Sequence, residues 1–203
     1  MKEILKELRI YAQENKVPII KDEALAVLIN ECKEKQPHNI LEIGTAIGYS
    51  IITMLDNIAV ETKVITLELD EGRAAIARRS IAEAGLSDRV EILVGDAGQI
   101  LLDLQKKNIK FDLIFIDAAK AQYVDYLTKV IPMLDNGSVV IADNVLFRGY
   151  VEGIEETPRR FRTIVRRLRE YIDLVNNKDD FETAIYKDAD GIAVSHYRRC
   201  KDE

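Results

Sequence analysis

Two short stretches carry acids and a lysine at spacings that suit proton and cation chemistry: "FIDAAKAQY" (115–123) and "VVIADNVLF" (139–147). Each starts as an apolar run and meets an aspartate, Asp117 in the first and Asp143 in the second. If the two runs are neighbouring strands, ~4.8 Å apart, their carboxylates face one small volume. Two uncompensated carboxylates there repel each other, and one takes up a proton. A hard cation removes that conflict, and Asn144 adds a neutral amide oxygen. An all-oxygen set of Asp117, Asp143 and Asn144 favours Mg²⁺ or a similar ion, with positions left for water or substrate. Lys120 lies three residues after Asp117, about one turn into the next helix, within reach of the same pocket. Near a cation in a half-buried cleft a lysine can act as a base. Each feature also has an ordinary reading, since most lysines are surface residues and Asp-Asn is a common turn. Their conjunction at two adjacent strand ends is what sets them apart.

A second group of acids surrounds a glycine turn, "ILEIGTAIGYS" (40–50). Gly44 and Gly48 are spaced G-x-x-x-G, which is neither the G-x-G-x-x-G of dinucleotide sites nor a phosphate-binding G-x-x-x-x-G-K-[ST]. Glu42 precedes the turn, Glu68 ends the next apolar run, and Asp96 followed by Ala97 ends the one after. Acids at three successive strand ends make a negative rim. Such a rim is poor for a pyrophosphate and suits a cationic sulfonium ligand bearing an amino group, a ribose and an adenine. Strand-end acids also cap the helices that follow them, so for each one singly the two readings stay open.

The elements that must position these residues are legible as a rhythm. Strand-like runs at 39–44, 63–69, 90–95, 111–117 and 137–143 alternate with helical patterns such as 71–85, which closes on Gly85. Nearly continuous apolar runs fit strands covered on both faces of a parallel sheet. Pro132 should end the helix that fills 120–134. After residue 144 comes a loop, a helix starting near Pro158, and two β-like runs at 181–187 and 191–198. Only "DAD" separates that last pair, so they must be antiparallel. In an open α/β sheet, ligands bind at the carboxyl ends of the strands, where all the acids above are expected.

The bulk numbers agree with one soluble domain spanning 1–203, with helices in 1–38 and the α/β core in 39–203. The chain has 203 residues, 47% hydrophobic and 32% charged, and no apolar run long enough for a bilayer. Its N-terminus, "MKEILKELRIYAQENK", reads as an amphipathic helix without the apolar core of a secretory signal, so the chain is expected in the cytoplasm. Cys32 and Cys200 lie far apart and suggest neither a disulfide framework nor a zinc site. His38 and His196 fall away from the predicted carboxyl ends, which disfavours a His-dependent hydrolase. The net charge of −6 argues against a wholly basic nucleic-acid binder but permits a local basic patch.

Taken together, "LEIGTAIGYS", "FIDAAK" and "ADNVLF" resemble the class I, S-adenosylmethionine-dependent, metal-dependent O-methyltransferases of the catechol and caffeoyl-CoA O-methyltransferase group. The resemblance runs from "VPII" (17–20) to "DGIAVSHYR" (190–198). Within the group the chain is most similar to a bacterial branch that methylates 5-hydroxyuridine at the tRNA wobble position. The resemblance implies a Rossmann-like α/β fold: a seven-stranded, mostly parallel sheet with a C-terminal antiparallel hairpin and helices on both faces. It assigns S-adenosylmethionine contacts to Ile20, Glu42, Gly44, Ser50, Glu68, Asp96, Ala97 and Asp117. It assigns the metal to Asp117, Asp143 and Asn144 and catalysis to Lys120 and Asp117. It also implies a homodimer. Members commonly carry a further N-terminal helical segment, which here is expected to be missing, with consequences for substrate pocket or dimer contact.

The acceptor stays open at this level. A 5-hydroxyuridine and a catechol-like or caffeoyl-CoA-like molecule present the same two-oxygen bite to an ion. The segment "PRRFRTIVRRLRE" (158–170) carries six arginines. Phe161, Ile164, Val165 and Leu168 form one helical face, flanked by Arg159, Arg162, Arg166 and Arg169 on one side and Arg160 and Arg167 on the other. Those guanidiniums are expected to be exposed, either as a patch for an anticodon stem-loop or as a solvated face balancing the acids. A binding protein that keeps the nucleoside pocket without catalysis is the reading from another class, and the intact Asp117, Lys120, Asp143 and Asn144 argue against it.

Overall fold

The computed structural model describes residues 1–59 and 61–198. Cys200 lies outside the described residues. In chain order the elements are α1 (Lys2–Asn15), α2 (Asp22–Lys35), β1 (Asn39–Ile43), α3 (Tyr49–Asp56), β2 (Lys63–Glu68), α4 (Glu71–Glu83), β3 (Val90–Val94) and α5 (Ala97–Lys106). They continue with β4 (Phe111–Ile116), α6 (Tyr123–Val130), β5 (Leu134–Asp143), α7 (Arg162–Val175), β6 (Phe181–Tyr186) and β7 (Ile192–Tyr197).

The seven strands form one sheet in the order β3-β2-β1-β4-β5-β7-β6. The first five are parallel, and β7 runs antiparallel between β5 and β6. The short "DAD" connection therefore forms the antiparallel hairpin that its length demands. Apolar residues alternate between two cores with the strand period of two. Leu113, Phe115, Val139 and Ile141 pack under α1–α4, while Ile114, Ile116, Val140 and Ala142 pack under α5–α7. The N-terminal helices belong to the first of these cores through Leu8, Ala12, Leu25, Leu28 and Cys32. Truncating a side chain such as Leu28, which has no exposed surface, to alanine should cost about 2–5 kcal/mol.

Two boundaries differ from the sequence reading. β5 begins at Leu134, earlier than expected, with an irregularity that pairs Phe111 with Leu134 but Leu113 with Val139. The intervening Asp135, Asn136 and Gly137 (φ +86°) are polar or glycine and give no apolar signal. The segment around Lys120 does not enter an α-helix directly. Residues Lys120–Gln122 form a 3₁₀ turn, α6 follows, and Pro132 sits in a second such turn after it.

Strand order reverses between β1 and β4. β1 leads to α3 on one face and β4 to α6 on the other, and a crevice opens between the departing chains. Everything that could do chemistry gathers at its lip. No helix among the described residues is long and apolar enough to cross a membrane.

Candidate active site

The glycine turn after β1 is held from three sides. The N–H groups of Gly44 and Thr45 donate to the Leu67 carbonyl at 2.9 and 3.1 Å, and the hydroxyls of Thr45 and Thr66 are 2.6 Å apart. Gly44 has φ +111°, and a Cβ there would lie 2.1 Å from the Asp117 carbonyl oxygen. Only glycine tolerates both the conformation and the approach of the β4 end. At Gly44 the turn therefore presents bare backbone to the cleft.

Glu68, at the end of β2, receives N–H bonds from Ala46 at 2.8 Å and from Asp70 at 3.0 Å, one on each oxygen. Its carboxylate is fixed in direction and keeps lone pairs for ligand hydroxyls. Asp96 caps α5 by accepting from the Gln99 N–H at 3.0 Å and also lines the cleft. For this acid the capping and rim readings hold together.

Glu42 is fully buried beneath the turn. It accepts from the Ser50 hydroxyl and, at 2.6 Å, from the Thr66 hydroxyl. Burial pushes its carboxyl up to about 7, against the two hydrogen bonds that favour the charged form. Ser50 lines the cleft and Glu42 stands behind it, so Glu42 reaches the crevice through Ser50.

The second group lies at the ends of β4 and β5. Asp143 is 1% exposed, accepts from the Asn144 N–H at 2.7 Å, and has no ion pair within 4 Å among the described residues. Burial, and then the charge of Asp117, push its carboxyl up to about 7. Asp117 is also raised by burial, opposed by Lys120. The conflict between two facing carboxylates, expected from the sequence, is present and only partly relieved by the lysine.

The loop that follows is conformationally strained. Asn144, Phe147 and Arg148 have φ of +55°, +42° and +59°. The turn of the β6–β7 hairpin holds them there. The Val145 and Leu146 N–H groups each donate at 3.0 Å to the carbonyls of Gly191 and Asp190, and the Asp190 carboxylate accepts from the Arg148 N–H.

One cleft of about 870 Å³ joins both groups. It is lined by Ile20, Gly44, Ser50, Glu68, Asp96, Ala97, Asp117, Lys120, Asp143 and Asn144, which leaves Glu42 alone of the expected residues behind the wall. Phe147, Arg148, Asp190 and Tyr49 also line it. Tyr49 is not singled out in the sequence, although it directly follows Gly48, and its hydroxyl accepts from Arg9 of α1 at 2.6 Å. Asp190 carries no local signal, since only the antiparallel seat of β7 beside β5 brings it there. Neither histidine lines the cleft, and His196 instead lies 3.9 Å from Glu31.

The arginine segment is exposed as expected, with Arg159, Arg160, Arg162, Arg166 and Arg169 exposed and Arg167 half-buried. Arg166 and Arg167 pair with Glu170 at 2.9 and 2.7 Å, and Arg169 donates to the carbonyls of Val151 and Tyr150 at 3.0 and 3.2 Å. Helical spacing places Glu170 within reach of both guanidiniums, so three of the six arginines have partners within the chain. Val165 and Leu168 are buried as expected. Arg160 instead lies over the Phe161 ring at 4.6 Å, and that ring meets Phe147 edge-on at 5.3 Å. Arg148 stands 5.7 Å from the same Phe161 ring. Rings and guanidiniums thus run from the cleft mouth to the start of α7.

Among the described residues, no group of three or more His, Cys, Asp and Glu side chains could hold a metal. The candidate set is smaller: two carboxylates and one amide. It nonetheless fits a hard divalent cation. A buried carboxylate without an ion-pair partner, facing a second carboxylate, lacks the positive charge such an ion carries.

The fold and this cleft together define an α/β architecture with one cleft at the carboxyl ends of its parallel strands. The O-methyltransferase family model matches residues 1–197, and the chain belongs to that family. It is 40% identical over 128 residues to the catechol O-methyltransferase of Niastella koreensis, covering 63% of this chain and 57% of that one. Against the catechol O-methyltransferase of Bos taurus it is 30% identical over 165 residues, covering 79% and 61%. The chain therefore spans about three-fifths of the length of these two relatives. The solved O-methyltransferase from Bacillus cereus, in complex with SAH, superposes with a TM-score of 0.86 at 28% identity over 97% of this chain and 91% of that one.

Proposed function

We propose that this chain transfers a methyl group from S-adenosylmethionine to an acceptor hydroxyl with Mg²⁺ or a similar ion, and that the acceptor is 5-hydroxyuridine at the tRNA wobble position. The observation that carries the transfer is the shared cleft. Gly44, Glu68 and Asp96 line its donor side, and Asp117, Lys120, Asp143 and Asn144 line the other. Asp117, Asp143 and Asn144 would hold the cation. When bound, it supplies positive charge that lowers the pKa of the acceptor hydroxyl.

The chain's own residues do the rest. Glu68 and Asp96 orient the ribose and adenine, and Ser50 with Glu42 behind it orients the amino-acid end of the donor. Lys120 takes the hydroxyl proton. The acceptor oxygen then forms its bond to the methyl carbon as the carbon–sulfur bond breaks, leaving a neutral thioether. Holding the two reactants in line supplies much of the rate.

The RNA reading rests on the cleft mouth. Phe147 and Phe161 offer ring faces, and Arg148 and Arg160 offer cations beside them, the pairing that single-stranded nucleic acids use. The second reading, a catechol-like small molecule, is favoured by the names of the two catechol O-methyltransferase relatives. A homodimer, which the resemblance implies, and a cytoplasmic location, expected from an N-terminus without the apolar core of a secretory signal, belong to the same proposal.

The test offers the protein bulk tRNA from cells lacking the modification and, separately, caffeate-like catechols, with labelled S-adenosylmethionine. Product on tRNA supports the first reading, and product on catechols alone reverses the ranking. Absence of S-adenosylmethionine binding by titration removes both.

A further inference from the structure

Tyr123 opens α6 with its side chain completely buried, and its phenol does not touch the cleft. Its hydroxyl donates to the Asp143 carbonyl at 2.9 Å and lies 3.4 Å from the Ile116 carbonyl. One phenol oxygen therefore meets the backbone at Ile116, the residue before Asp117, and at Asp143 itself.

The sheet leaves this tie to be made. The β4–β5 register ends with Ile116 opposite Ala142, one residue short of both acids. Beyond it, Asp117 is fastened to β1 through its N–H to the Ile43 carbonyl at 2.9 Å. Asp143 is fastened to β7, opposite Ile192. Each acid thus follows a different neighbouring strand, and the Tyr123 hydroxyl spans the gap between them.

We infer that Tyr123 is a positioning residue that sets the spacing of Asp117 and Asp143, and through it the affinity of the pair for a divalent cation. The inference rests on the reading above that this pair holds one. Groups that orient metal ligands without touching the metal typically change its affinity about 10–100-fold when removed.

The structure supplies an internal control. Tyr171 of α7 packs edge-on against Tyr123 with ring centroids 5.6 Å apart and is equally buried. Among the described residues its hydroxyl has no hydrogen-bond partner. Tyr123→Phe and Tyr171→Phe remove the same atom from the same core, and only the first removes a bond to the strand ends. Both keep the rings and their packing, so both should keep the fold.

The experiment titrates Mn²⁺ into the metal-free protein and counts free ion by electron paramagnetic resonance, with neither donor nor acceptor present. The Mg²⁺-dependent rise in Tm is the second readout. In Tyr123→Phe the Mn²⁺ Kd should rise about 10-fold and the Mg²⁺ effect on Tm should shrink, while Tyr171→Phe binds as the parent does. Equal Kd values in Tyr123→Phe and the parent overturn the inference, as does equal weakening in both variants. A parent protein that binds no Mn²⁺ overturns the cation reading itself.

Discussion

The Lys120 Nζ stands 3.9 Å from the Asp117 carboxylate, with only 20% of the lysine side chain exposed. The separation is longer than a hydrogen bond and places the nitrogen beside Asp117 without locking it there. Lys120 is therefore free to turn toward an acceptor hydroxyl in the same cleft. Lys120→Ala should lower kcat by about 10²-fold or more, while the Kd for S-adenosylmethionine stays as it was. Single-turnover transfer and donor titration measure the two separately. Unchanged turnover would remove the base assignment.

Gly44→Ala should be among the most damaging single changes in the chain. The added Cβ meets the Asp117 carbonyl at 2.1 Å on a backbone with φ +111°. The clash and the strained backbone together should cost on the order of 2–5 kcal/mol. Urea denaturation reads the loss, and what remains folded should bind the donor weakly because the β4 end has been pushed away.

Glu42 predicts a pH dependence of the ligand-free protein. Burial raises its folded carboxyl from 4.5 to about 7. Between those values the folded state holds a proton that the unfolded chain has lost, so stability falls as pH rises through the window. In Glu42→Gln this part of the slope should vanish. The Ser50 or Thr66 hydroxyl can rotate to accept from the new amide. Tm measured from pH 4.5 to pH 8 (roughly the span of the two carboxyl values) compares the parent and the variant. A parallel pair of curves would contradict the assignment.

The arginines should divide into two classes. Arg166 and Arg167 share Glu170, and Arg169 holds the carbonyls of the loop before α7. Replacing these three should affect local stability by about 0–1 kcal/mol each and RNA binding little. Replacing Arg148, Arg159, Arg160 and Arg162 should weaken tRNA binding and flatten its salt dependence by about 0.7 log units for each phosphate no longer neutralised. Filter binding across a salt series separates the classes. Binding indifferent to salt, or to these substitutions, would sink the RNA surface.

Much of the fold and the site is legible in the sequence. Continuous apolar runs ending in acids locate β1 to β4 and the rim residues Glu68, Asp96 and Asp117, because buried parallel strands have little room for anything else. The length of "DAD" alone forces the final hairpin. The early start of β5 is hidden, since Asp135, Asn136 and Gly137 pair irregularly with β4 and carry no apolar pattern. The Arg–Glu170 pairs are within reach of helical spacing but are outweighed by the sheer number of arginines. Asp190 and the Tyr123 tie cannot be read at all. Both depend on which strands lie side by side at β5, a fact of topology that spacing along the chain does not contain.

Cation-dependent methyl transfer to RNA is tested most directly by nucleoside mass spectrometry of tRNA after incubation with the protein and S-adenosylmethionine, with Mg²⁺ and with a chelator. The 5-hydroxyuridine should gain one methyl group in the presence of Mg²⁺ and none in the chelator. Undiminished transfer in the chelator, or no transfer to any hydroxyl acceptor with Mg²⁺ present, would contradict the proposed function.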